Sequence, residues 1–97
     1  MMSLNLYALM DSDSQLLHSF STSSNDKEVC EMYVKMLSSS YDSIKEENEK
    51  VKFLSNVRNC NIVRVGSIDL LTHELTNDFS ALVFLRDFMK EDNNNEV

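Results

Sequence analysis

The chain has no proline, no tryptophan and a single glycine, Gly66, in 97 residues. Each absence removes a class of function. Without proline there is no polyproline recognition segment and no cis-proline turn. One glycine cannot build the Gly-rich loop that cradles a phosphate. The two cysteines, Cys30 and Cys60, match neither a zinc-ligand spacing nor a dense disulfide framework, and both are expected to be buried free thiols. No apolar run approaches the ~20 residues of a membrane span. The opening "MMSLNLYALMDSDSQ" lacks a basic segment and is interrupted by Asp11 and Asp13, so it does not read as a signal peptide. Positive charge is also scarce. Nine Lys and Arg against sixteen Asp and Glu give a formal charge of −7, and the basic residues are scattered. That balance disfavours tight non-specific binding of nucleic acid by the monomer. It suits solubility or a basic protein partner.

What remains is a chain near the usual apolar share for a folded domain, at 42%. Its length predicts one α+β domain over residues 1–92, with "EDNNNEV" ending in a frayed polar tail at 93–97. "SLNLYALMDS" alternates, with Leu4, Leu6, Ala8 and Met10 on one face and Asn5, Tyr7 and Leu9 on the other, which predicts a strand. "DSDSQ" is a run of turn formers. "LLHSFSTS" reads as the returning strand, setting Leu16, His18 and Phe20 against Leu17 and Ser19. Asn25 is a good helix N-cap with Glu28 three residues on, and Val29, Met32, Tyr33, Met36 and Leu37 form an apolar stripe. A helix over Asp26–Ser39 is expected, ended by the serine run. The charged stretch from Ser43 to Lys52 reads as a short surface helix or an ordered loop, with Ser43 and Glu46 as a capping box and Ile44, Val51 and Leu54 on one face. "NIVRVGSIDL" is a strand in which Gly66 marks a bulge or a close backbone approach. Asp69 opens a turn, and "HELT" begins a return strand. "NDFSALVFLRDFMK" carries apolar residues nearly all round and reads as a closing helix capped by Asn77, with a strand through "ALVFL" as the competing reading. The whole is a small antiparallel sheet, an N-terminal hairpin plus a second strand pair, covered by one or two helices. Its open edges suggest a homodimer.

The side chains that carry chemistry are sparse. His18 and His73 have no motif around them, and with Cys30 and Cys60 they show no zinc spacing. Asp11 and Asp13 resemble the start of a calcium loop, but neither the glycine nor the closing glutamate follows. Tyr7 and Phe20 sit on strands without basic neighbours and read as core rather than as stacking platforms for bases. No catalytic, cofactor or metal residue is assigned, and the chain reads as a non-enzymatic binding protein.

The order of the pieces resembles a known family. "LNLYALMDSDSQLLHSF", an Asn25-Asp26 pair opening a helix, "NIVRVGSIDLLTHEL" and "ALVFLRDF" succeed one another as in the small nonstructural proteins of gokushoviruses. These belong to the Microviridae, icosahedral phages with circular single-stranded DNA. The resemblance rests on Phe20 closing the second strand, Asn25 and Asp26 at the helix start, Val65 and Gly66 before a turn with Asp69 and Thr72, and Asp87-Phe88 near the end. It spans roughly Leu4 to Phe88. This chain departs from the family in having no proline near the Phe and His73 where the turn glycine stands.

The resemblance implies a late-infection role in the host cytoplasm, assisting the switch from genome replication to DNA packaging into the procapsid. A phage replication or procapsid protein is then the expected partner, with no cofactor and no membrane, and direct nucleic-acid contact is left open. The second reading is an acidic host-directed inhibitor, or nucleic-acid mimic, whose Glu46, Glu47 and Glu49 would occupy a basic host protein.

Overall fold

The computed structural model describes residues 3–86 and holds one antiparallel sheet and two helices. In chain order these are β1 (Ser3–Asp11), β2 (Leu17–Ser23), α1 (Asp26–Ser43), α2 (Glu47–Arg58), β3 (Cys60–Asp69) and β4 (Leu75–Phe84). The sheet order is β2-β1-β3-β4, so two hairpins are joined along a β1–β3 seam. The α+β class is as the sequence predicts. The expected tail at 93–97, with Asp87 and Phe88, lies outside the described residues.

The two hairpin turns are built alike. In the first, Asp11 Oδ1 accepts from the backbone N–H groups of Asp13 and Ser14, the Gln15 N–H donates to the Asp11 carbonyl at 2.7 Å, and Gln15 takes φ 61°. In the second, Asp69 Oδ1 accepts from Leu71 and Thr72, the His73 N–H donates to the Asp69 carbonyl at 2.8 Å, and His73 takes φ 67°. Ser14 Oγ and Thr72 Oγ1 each accept from the N–H two residues on. A short acidic side chain that satisfies two turn donors, followed by a hydroxyl, makes the same loop twice. The family-like residues Asp69 and Thr72 are therefore turn-forming residues, echoed by Asp11 and Ser14.

Helix α1 starts where expected, with Asn25 Oδ1 accepting from the N–H groups of Lys27 and Glu28. It runs four residues past the expected end. The serines at 38–40 are exposed and cost little, while Tyr41 continues the inward row set by Val29, Tyr33 and Leu37. Met32 and Met36, expected in that stripe, lie toward solvent, and Cys30 and Val34 pack inward instead. Ser43 belongs to the last turn of α1, where its hydroxyl donates to the Ser40 carbonyl, so it is not the cap of α2. Glu46 is the N-cap residue of α2 and makes no side-chain capping bond. The helix continues to Arg58 and buries Val57 with Phe53 behind it, whereas Val51 faces out.

From Asn77 to Phe84 the chain is strand, the competing reading through "ALVFL", while Leu85 and Arg86 are helical and the remainder of the expected closing helix lies outside the described residues. Register with β3 runs Ile68↔Leu75, Gly66↔Asn77, Arg64↔Ser80, Val63↔Ala81 and Ile62↔Val83, with two irregularities. An apolar pattern on all sides suits a helix buried all round and equally a strand buried on both faces. Pairing decides it, because β3 would otherwise leave one side of its backbone unbonded.

Gly66 sits at a bulge in β3, where the register against β1 jumps between Leu6↔Gly66 and Tyr7↔Arg64. A Cβ built on it would overlap the Thr76 carbonyl oxygen of β4 and lie 3.2 Å from that carbonyl carbon. The glycine permits close strand approach, and its φ is not positive.

Candidate interaction surface

The core lies on one side of the sheet. Tyr7, Leu9 and Ile62 from the strands meet Val29 and Tyr33 of α1, Val57 of α2 and Leu85. Both helices therefore cover the same face. That covered face is also the more polar one. Tyr7 donates its hydroxyl to Asp26 Oδ1 at 2.5 Å and accepts from Asn5 Nδ2 at 3.0 Å. Arg64 Nη1 reaches Asp26 Oδ2 at 2.7 Å, and Nη2 lies 3.5 Å from Asp78. This chain of bonds fastens the first turn of α1 to β1, β3 and β4. Burial, then the Asp26 hydrogen bond, pushes the Tyr7 hydroxyl above its usual range, so it stays protonated as a donor.

Tyr33 makes a second anchor. Its hydroxyl donates to the Ser19 carbonyl at 2.5 Å and lies 2.8 Å from Ser21 Oγ. Ser19 takes φ 55° at a bulge in β2, where Leu9↔His18 gives way to Tyr7↔Ser21. That extra residue changes the faces. His18 turns toward Cys60 on the helix side, while Leu17 and Phe20 stand together on the other. The expected grouping of Leu16, His18 and Phe20 fails for this reason, and a bulge at a serine has no glycine to announce it. Phe20 is 58% exposed and is not a core residue, whereas Tyr7 is fully buried.

The face away from the helices is built of uncharged side chains, with the Arg86 guanidinium 5.8 Å over the Phe84 ring at its margin. Register places Leu4, Leu6, Ala8 and Met10 of β1 on it. Opposite them stand Leu17, Phe20 and Thr22 of β2, with Asn61, Val63 and Ile68 of β3. On β4, Leu75, Ala81 and Phe84 share this face, as does Phe79, next to Asp78 whose carboxylate turns to Arg64 on the helix side. None of these side chains carries a charge, in a protein where 26% of residues do. Phe20, Leu75, Phe79 and Phe84 are all exposed, between 46% and 71%. A sheet covered on one face ordinarily alternates apolar-in and polar-out, and here both faces are apolar. Ala8 and Val63 in the middle of this face are fully buried, so its exposed apolar area lies along the two edge strands, Phe20 on β2 and Leu75, Phe79 and Phe84 on β4. Exposed aromatic side chains grouped in this way mark a candidate interaction site.

Glu46, Glu47 and Glu49 form no comparable surface. Glu47 and Glu49 occupy the first turn of α2, where negative charge suits the helix dipole. Lys45, Lys50 and Lys52 interleave with them, and Lys50 Nζ sits 4.7 Å over the Tyr41 ring. Of the remaining family-like residues, Asn25 caps α1, Asp26 anchors it and Gly66 lets two strands approach, all structural duties. Cys30 and Cys60 are free and partly buried, and burial raises both thiols above their usual range. Among the described residues no group of three His, Cys, Asp or Glu is placed to hold a metal ion, and no helix is long and apolar enough to cross a membrane. No protein-family model, curated protein or solved structure matches the chain.

Proposed function

We propose that this is a non-enzymatic accessory protein of a single-stranded-DNA phage, assisting the switch from replication to DNA packaging into the procapsid through protein contacts. The phage assignment rests on the order of short motifs in the sequence, from Leu4 to Phe88. The contact mechanism rests on one observation, the exposed apolar side chains Phe20, Leu75, Phe79 and Phe84 on the face of the sheet turned away from the helices. A predominantly apolar surface, with the Arg86 guanidinium over the Phe84 ring at its margin, is suited to another protein surface more than to a phosphate backbone. The chain's scattered basic residues and its −7 charge point the same way. The acidic-inhibitor reading gains less support, since the glutamates at the start of α2 are interleaved with lysines.

The test is made in the phage that encodes the chain. Loss of the protein should yield unfilled particles with replication intact. Tagged protein from infected cells should retain a replication or procapsid protein, and Phe79→Glu should release it. Full packaging without the protein, or co-elution of the purified protein with circular single-stranded DNA that weakens as salt rises, would refute the contact reading.

A further inference from the structure

We draw no further inference here: the strongest candidate, the side-chain pair at the start of β3 in which the β2 bulge sets His18 Nε2 3.9 Å from the Cys60 thiol, is a single cysteine beside an exposed histidine, and among the described residues no third metal-ligating side chain joins it.

Discussion

Replacing Gly66 with alanine tests the fold at its tightest point. The added methyl would overlap the Thr76 carbonyl oxygen and lie 3.2 Å from the Thr76 carbonyl carbon and 3.4 Å from Asn77 Cα. All three are backbone atoms of β4, so no side chain can rotate away. Strand β4 has to shift, and its pairing with β3 around Gly66↔Asn77 and Ser67↔Thr76 weakens with it. Overpacking of a rigid site costs about 1–3 kcal/mol, and loss of a ladder hydrogen bond adds about 1 kcal/mol. Alanine has less freedom than glycine in the unfolded chain and returns about 0.4–1 kcal/mol. The net is a loss of about 2–3 kcal/mol, a large share of the 5–15 kcal/mol typical of a domain. At about 4–8 °C per kcal/mol for a chain of this size, Tm should fall by roughly 10–20 °C. Urea unfolding followed by circular dichroism measures it, with the midpoint lowered and the slope unchanged. Ser67→Ala, one position along, is the control and should stay within about 0.5 kcal/mol of wild type. If Gly66→Ala unfolds at the wild-type midpoint, β4 does not press on β3 there, and the steric account of this glycine is wrong.

Tyr33→Phe removes the donor that serves the Ser19 carbonyl at the β2 bulge and should cost about 1–2 kcal/mol in urea melts, with α1 retained. His73→Gly relieves a left-handed residue in the second turn and should raise stability by up to about 1 kcal/mol, while His73→Val should lower it. Hydrogen bonds from turn N–H groups hold the Asp11 and Asp69 carboxyls below their usual 3.8. A lowered folded-state pKa gives stability that is present above 3.8 and lost as pH falls through the folded value. Thermal melts should therefore drop below about pH 4, and Asp11→Asn with Asp69→Asn should flatten that limb.

The elements were legible where local chemistry is decisive. Asn25 announces α1, the Asp-rich turns announce both hairpins, and the alternation in "SLNLYALM" announces β1. Local signals failed where pairing partners decide. "NDFSALVF" suits a buried helix and a strand through "ALVFL" alike, and pairing with β3 selects the strand. The serines at 38–40 read as a stop because Tyr41 counts only once Phe53 is near it, at 6.3 Å between ring centroids. The contact face was half visible. The alternation in β1 already puts Leu4, Leu6, Ala8 and Met10 together on one face, the one turned away from the helices. The bulge at Ser19, which brings Phe20 onto that face, carries no sequence mark. Asp26 drew attention through the resemblance, yet its partners Tyr7 and Arg64 are nineteen and thirty-eight positions away and no local pattern links them.

The β1–β3 seam sets the order in which this protein can fold. Tyr7 must find Arg64 across both helices, whereas each hairpin closes over a few residues. The hairpins and α1 can form early and locally, but the sheet exists only when the two halves meet. Sheets that depend on distant pairing fold in milliseconds to seconds, far slower than helix or hairpin formation. With no proline, no isomerisation step adds a slower phase. Until the seam closes, the β1–β2 half waits with the apolar face of Leu4, Leu6 and Phe20 uncovered and both of its edges unpaired, which makes the protein most prone to self-association while it is being made.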